Sequence, residues 1–320
     1  MTLEEFIAEW YSESEYVHVQ TSGSTGAPKP MLVEKQRMLN SARITCDFLG
    51  LHEGDTALLC MSLDYIAGKM MVVRALERHL KLIAVPPSGH PLSTTQEAID
   101  FAAMVPMQVY NSTQVPEECD RLKRIRHLII GGGAIDDALA AELKNFPNAV
   151  WSTYGMTETL SHIALRRLSG PESSDWYTPF PSVKVCLSDE GCLVIAAPEV
   201  CSESLVTNDI AEISPQGFRI LGRKDNVICS GGIKIQIEQV ERQLHPHLQV
   251  PFLITKRPDA KFGEIVVLLT EGAVDEARIV CERILPKYYH PRAYLHVDRI
   301  PLTETGKPAR QQAEQLARQS

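Results

Sequence analysis

The stretch Gln20-Thr21-Ser22-Gly23-Ser24-Thr25-Gly26-Ala27-Pro28-Lys29 brings together two glycines, four hydroxyl side chains and a lysine. Glycines let backbone N–H groups turn inward and approach an anion closely, hydroxyls donate further hydrogen bonds, and the lysine adds positive charge. That set suits a phosphate, although an ordinary Ser/Thr/Gly surface loop has the same composition. Lys29 is not preceded by glycine as in G-x-x-x-x-G-K-[ST], and the glycine spacing is not G-x-G-x-x-G, so standard P-loop hydrolysis and dinucleotide binding are disfavoured. Other stretches carry reactive residue types with plainer readings beside them. Gly131-Gly132-Gly133 reads as a strand-to-helix turn, and Asp209 in Thr207-Asn208-Asp209 as a turn residue capping a strand. Gly222-Arg223-Lys224-Asp225 reads as a charged turn between domains, and Lys307 as a solvated charge. Glu158, in Ser152-Thr153-Tyr154-Gly155-Met156-Thr157-Glu158, is the hard oxygen donor that magnesium takes alongside waters and substrate phosphates; alone, it reads as a surface carboxylate.

These residues need a scaffold. Strand-favouring segments at 16–20, 56–60, 81–85 and 127–130 alternate with helical periodicity, which argues for an α/β arrangement. Between Asp64 and His79 the residues Ile66, Met70, Val73 and Leu76 recur at spacings of three and four and predict a core helix. A helix is expected over 134–146 and a strand over 151–154, ending at Gly155. After Ser182 short strands at 183–187, 192–196, 210–213 and 218–221 indicate a β-rich subdomain. Beyond the 222–225 turn the order strand, helix, strand, strand, helix, strand predicts a small α+β domain, with helices over 236–243 and 274–284 and strands near 251–255, 264–269 and 294–298.

The chain has 320 residues and a formal net charge of −8, a length that suits one large domain plus one small one. A net negative chain offers no global field for nucleic acid, so a polyanionic ligand needs a local site. The longest apolar runs, such as 265–269, fall far short of the about 20 residues needed to span a bilayer. The acidic start Met-Thr-Leu-Glu-Glu-Phe does not resemble a secretory signal, which leads to the expectation of a cytoplasmic protein. The eight cysteines form no C-x-x-C pair, so buried thiols are expected rather than a zinc or dithiol site.

Taken in order, these stretches resemble the signatures of the adenylate-forming (AMP-binding) superfamily of acyl-CoA synthetases, from about position 17 to 310. The resemblance implies a large α/β adenylate-forming domain with a reduced N-terminal subdomain, over 1–222, and a small α+β C-terminal lid, over 226–320, with a hinge at 223–225. The implied reaction consumes ATP, Mg2+ and CoA with a small carboxylic acid: the carboxylate attacks the α-phosphorus of ATP, and the CoA thiol then displaces AMP from the acyl adenylate. It further implies phosphate binding by Thr21, Ser22, Gly23, Ser24, Thr25, Gly26 and Lys29, and an adenine turn at Gly131, Gly132 and Gly133. Tyr154, Gly155 and Met156 would cover the purine, Thr157 would meet the phosphate and Glu158 would hold magnesium. Asp209 would accept the ribose hydroxyls and Arg223 would contact ribose or phosphate. Asp225 would be the pivot, Gly231 and Gly232 would flank the pantetheine tunnel, and Lys307, in Pro301-Leu302-Thr303-Glu304-Thr305-Gly306-Lys307, would be the catalytic cation.

Val105-Pro106-Met107-Gln108 and the run from Gly222 to Glu241 resemble the o-succinylbenzoate–CoA ligase group of menaquinone synthesis. Its acid carries two carboxylates, so the unreacted one needs a cation or several donors; Lys69, Arg74, Ser161 and His162 are the candidates. An aryl- or fatty-acyl-CoA synthetase, a ligase loading a carrier protein, and a nucleotide-binding regulatory protein that has lost catalysis are the alternatives. Assembly into a homo-oligomer is left open. The chain departs from the superfamily pattern at Pro30, where glycine often follows the lysine, at Asn208, in place of glycine, and at Leu63-Asp64-Tyr65, where an aromatic-histidine pair is common. The phosphate loop also begins at position 21, where family members carry a long preceding subdomain.

Overall fold

The computed structural model describes residues 1–20, 30–303 and 308–319. The chain divides into two compact units, one of Met1–Cys186, Val194–Leu205 and Ile213–Arg219, the other of Leu187–Leu193, Val206–Glu212 and Ile220–Ser320. The first opens with the helix Leu3–Trp10, which buries Phe6 and Trp10. A capping box starts it: Glu5 N–H donates to Thr2 Oγ1 at 3.2 Å, and Thr2 N–H donates to Glu5 Oε2 at 2.7 Å. The strands Tyr16–Gln20 and Pro30–Glu34 follow as an antiparallel pair, with Gln20 opposite Pro30 on either side of the phosphate-loop residues.

The main sheet of this unit has seven strands, in the order Lys81–Ala84, Thr56–Leu59, Phe101–Met104, His127–Ile130, Ala149–Gly155, His162–Arg167, Thr178–Pro179. The first five run parallel and the last two antiparallel. Leu58, Ala102, Met104, Leu128, Ile130 and Val150 lie in one buried cluster with Leu139 and Leu143 of the helix Asp137–Leu143. That helix is shorter than the periodicity predicts. Asp136 accepts the Leu139 N–H at 2.9 Å and sets the start, while Pro147 restricts the backbone of the residue before it and stops the helix running on. The helix Ile66–Arg78 forms where expected, but it buries every residue from Gly68 to Ala75, including Lys69 and Arg74, rather than a single apolar stripe. No helix of the described residues is long and apolar enough to cross a membrane.

The chain runs from Thr56–Leu59 out to the edge strand Lys81–Ala84 and returns to Phe101–Met104 on the other side. The strand order therefore reverses between Thr56–Leu59 and Phe101–Met104, and in open parallel sheets ligands bind beyond the carboxyl ends at such a switch. Gln108, on the helix Pro106–Thr113, lies buried beside that switch. Its Oε1 accepts the Val105 N–H at 3.1 Å, and its Nε2 donates to Cys60 O at 3.1 Å and Ser88 O at 2.9 Å. One buried amide thus joins the chain leaving three neighbouring strands, which is a physical reason for glutamine in Val105-Pro106-Met107-Gln108.

In the second unit the strands Ile233–Gln236, Val227–Ser230, Gly263–Thr270 and Phe252–Asp259 lie in that order, with Ala293–His296 parallel to Gly263–Thr270. Ile254, Val266 and Leu268 pack with the helices Ile237–Leu244 and Val274–Ile284, whereas Leu253, Ile265, Val267 and Leu269 pack with the helix Arg310–Gln319. Alternate residues of a strand face opposite ways, so the unbroken apolar run 265–269 belongs to a sheet covered on both faces. The predicted α+β order omits this last helix. Its first residue, Arg310, is held by Glu241 in two bonds of 2.7 Å, and Arg310 Nη1 also reaches Ile254 O at 3.0 Å. A further four-stranded sheet has the order Lys184–Leu187, Cys192–Ala196, Leu205–Ser214, Gly217–Arg223.

Two substitutions test these anchors. Gln108→Leu strands one donor and two acceptors and is expected to cost about 3 kcal/mol, with each net bond near 1 kcal/mol. Arg310→Met removes the bidentate partner of Glu241 and is expected to cost about 2 kcal/mol. Urea unfolding midpoints of the full chain, compared at constant slope, read both losses.

Candidate active site

Two of the predicted stretches, 131–133 and 152–158, meet at the carboxyl ends of the parallel strands. Gly131 follows His127–Ile130 and donates its N–H to Met104 O at 3.1 Å. A Cβ there would lie 2.4 Å from Thr153 Oγ1, so the turn packs against the neighbouring strand only because it carries no side chain. Next to it, Gly132 has φ +78°. The strand Ala149–Gly155 ends in the aromatic Tyr154, whose ring lies 5.1 Å from Phe218 and 5.8 Å from Tyr177; Tyr177 and Phe218 stack at 5.6 Å. The Tyr177 hydroxyl bonds Ser152 Oγ at 2.8 Å. Sequence reasoning singled out Tyr154 but neither of its ring partners, Tyr177 just before Thr178–Pro179 and Phe218 in Gly217–Arg223, which share no motif with it.

Gly155 sits at a bulge, and a Cβ there would fall 2.2 Å from Ser161 O. The chain then turns through the short 3-10 helix Thr157–Thr159, where Thr159 Oγ1 accepts the Met156 N–H at 3.0 Å and donates toward Ser161 O at 2.8 Å. Met156 and Thr157 are half-buried on this turn, and Glu158 is exposed. Among the described residues Glu158 makes no hydrogen bond or ion pair. An uncommitted carboxylate fits a magnesium ion whose remaining ligands are phosphates and waters, and no cluster of three His, Cys, Asp or Glu side chains lies among the described residues to compete for it.

In the second unit, Arg223 Nη1 donates to Asp209 Oδ1 at 3.3 Å and Nη2 to Asp225 Oδ2 at 2.9 Å. The same Asp225 oxygen accepts Asn208 Nδ2 at 3.2 Å. The asparagine that replaces glycine therefore supplies a side chain to the candidate pivot. Burial alone would lower the Arg223 pKa, but Asp225 and Asp209 outweigh it and raise it above the usual arginine range. Gly231 and Gly232 take φ +59° and +84°, and the Gly231 N–H donates to Phe262 O at 2.8 Å. The candidates Thr21, Ser22, Gly23, Ser24, Thr25, Gly26, Lys29 and Lys307 lie outside the described residues.

The four acyl-site candidates separate clearly. Lys69 is buried, with its ammonium hydrogen-bonded to His18 O and 4.0 Å from Glu9 Oε2. Burial lowers its pKa against the pull of Glu9 and Asp64. It serves the seam between the first helix and the first strand. Arg74 is 2% exposed; Nη2 donates to Ser161 Oγ at 2.7 Å, Nη1 lies 3.9 Å from Met71 Sδ, and Nε has no partner. Burial pulls its pKa down to about 10, so it stays charged at neutral pH, and no carboxylate of the described residues forms an ion pair with it. His162 is buried beside Arg74, and burial first and that cation second hold it neutral. Its Nδ1 bonds Ser161 Oγ and its Nε2 bonds Thr45 Oγ1, both at 3.1 Å.

The sequence profile of the family described as "AMP-binding enzyme" matches residues 12–200. A 2-succinylbenzoate–CoA ligase of Lactococcus lactis is 24% identical over 95% of this chain and 72% of its own length, and one of Listeria monocytogenes is 26% identical over 90% and 67%. Among solved structures, an acyl-CoA synthetase (AMP-forming)/AMP-acid ligase II-like protein from Dyadobacter fermentans is 33% identical, with 95% of this chain and 90% of that one covered and a TM-score of 0.67. The Bacillus subtilis o-succinylbenzoate CoA synthetase, solved with ATP and magnesium ion, superposes with a TM-score of 0.77 over 92% of this chain and 69% of that one, at 22% identity. With more than half of its length matched by the profile, the chain belongs to the AMP-binding enzyme family, as an AMP-forming acid–thiol ligase.

Proposed function

We propose that the chain joins o-succinylbenzoate to CoA at the expense of ATP, the ligation step of menaquinone biosynthesis, in the cytoplasm. The observation that carries this reading is Arg74, a buried guanidinium with no ion pair to any carboxylate among the described residues. Buried charges are paired, and an acid with two carboxylates brings a partner for this one while offering the other for reaction. A simple fatty acid or benzoate brings no such partner. The relatives named 2-succinylbenzoate–CoA ligase support the same choice.

In this reading Thr21 to Gly26 and Lys29 hold the phosphates, Gly131 to Gly133 border the adenine, and Tyr154, Gly155 and Met156 cover it. Thr157 meets the α-phosphate, Glu158 holds the magnesium, which supplies charge neutralisation on the phosphate oxygens, and Asp209 and Arg223 take the ribose. Phosphoryl transfer asks the protein for alignment and charge compensation, so the work falls to orientation by these groups and to Lys307 opposite the charge that develops at the α-phosphate. Domains divided at 222 and 226, with Asp225 as pivot, and a pantetheine channel beside Gly231 and Gly232, belong to the same proposal.

ATP–pyrophosphate exchange measured with o-succinylbenzoate, benzoate and a medium-chain fatty acid tests the substrate. Exchange is expected with the dicarboxylic acid above the other two, and Arg74→Met is expected to raise its KM about a hundredfold, the loss of one desolvated charge pair. Equal exchange with all three acids, or an unchanged KM, overturns the choice, and ATP binding without exchange for any acid favours a regulatory protein. Lys307→Ala is expected to slow adenylation about a thousandfold and thioester formation from supplied acyl adenylate far less, as befits one transition-state donor; an equal fall in both half-reactions removes Lys307 from its role.

A further inference from the structure

Arg74, Ser161, His162 and Thr45 form a chain of hydrogen bonds that can be protonated in only one sense. Thr45 lies on the helix Lys35–Leu49, Arg74 on Ile66–Arg78, and Ser161 and His162 at the start of the strand His162–Arg167. The Thr45 hydroxyl donates to Ser41 O at 3.0 Å, so only its lone pairs remain for His162 Nε2. A neutral imidazole must then carry its proton on Nε2 and offer Nδ1 as acceptor. Ser161 Oγ spends its hydrogen on Nδ1, and its lone pair receives Arg74 Nη2 at 2.7 Å. The opposite sense would take the Thr45 hydrogen from Ser41 O and leave the Ser161 hydrogen without an acceptor in the chain, because a guanidinium cannot accept.

From this wiring we infer that Thr45 and His162 are positioning residues for substrate selection: through Ser161 they fix the Arg74 guanidinium so that its unpartnered Nε edge receives the unreacted carboxylate. The inference rests on the reading of Arg74 as the carboxylate site. It also revises two of the four candidates from direct contacts to supports. Ser161 has no hydrogen left for a ligand, and both His162 ring nitrogens are already engaged. The burial of Thr45 at 0% and of His162 at 7% keeps water from substituting for either partner. Without the chain, Arg74 still supplies charge but loses its fixed direction, and direction is what a planar fork contributes beyond charge.

The test uses the full chain in pyrophosphate exchange with o-succinylbenzoate, comparing Thr45→Val, His162→Phe, His162→Asn and Arg74→Met. Thr45→Val and His162→Phe are expected to raise the KM for the acid about tenfold, with kcat and the KM for ATP moving less than about twofold, the coupling typical of neighbours in one network. His162→Asn keeps an acceptor where Nδ1 stands and is expected to restore most of the loss. Thermal melts accompany each variant, and Thr45→Val, nearly isosteric, keeps the question open to measurement if His162→Phe fails to fold. An unchanged KM in Thr45→Val, a fall confined to kcat, or a His162→Asn variant as impaired as His162→Phe overturns the positioning role. If those variants are silent while Arg74→Met raises the KM, the relay alone is wrong; if Arg74→Met is silent too, the substrate reading falls with it.

Discussion

A guanidinium removed from water is tolerated only where something compensates its charge, and at Arg74 the described residues supply little: one serine oxygen and a distant thioether. The surroundings follow from that. Cys46, beside it, is pushed up to about 11 by burial despite the pull of Arg74 and Arg78, so it stays a neutral thiol. His162, hydrogen-bonded to the same Ser161 Oγ that receives Arg74, is held neutral by burial first and by that cation second. The described residues surround the cation with neutral hydrogen-bonding groups and none of them forms an ion pair with it, which suits the proposed site for an anionic ligand. Folding that depended on an internal ion pair here would have closed the site instead.

The helix that carries Arg74 explains how such a residue can be held. Ile66–Arg78 is buried on nearly every side, so Arg74 cannot snorkel to water as an arginine on an amphipathic helix would. Lys69, less than two turns earlier, solves the same difficulty differently, through the His18 carbonyl and Glu9, and thereby fixes the strand that leads into the phosphate-loop residues. One helix thus supports the candidate acyl-site cation and the approach to the candidate phosphate residues. The first is left electrostatically open and the second is closed by protein groups.

What the sequence revealed and concealed follows from the range of each interaction. Periodicity is local, and it recovers Tyr16–Gln20 and Val274–Ile284 at the residues where the structure has them. The spacing of Ile66, Met70, Val73 and Leu76 identifies the helix but not that its other faces are buried too, because burial depends on what later strands bring. The role of Gln108 in Val105-Pro106-Met107-Gln108 was invisible for the same reason: its partners Cys60 and Ser88 lie 48 and 20 residues away. Lys69 looked like a free cation because its partner is a backbone carbonyl, which leaves no mark in residue identity. The glycines at 131 and 155 were legible as punctuation, whereas the atoms they make room for, Thr153 Oγ1 and Ser161 O, emerge only from the sheet register.

The departures from the superfamily pattern can be read in the same terms. Where glycine is usual at 208, asparagine places an amide 3.2 Å from Asp225, which already receives Arg223. Asp225 is half exposed, so these bonds are individually weak, yet each adds a directional restraint at the residue whose dihedrals would have to change in a pivot. Two donors on one carboxylate oxygen favour the backbone geometry that keeps them, and any other geometry must give up at least one. An asparagine at 208 therefore biases the 223–225 segment toward a single arrangement. This physical consequence separates it from a glycine, which offers no side chain to take part.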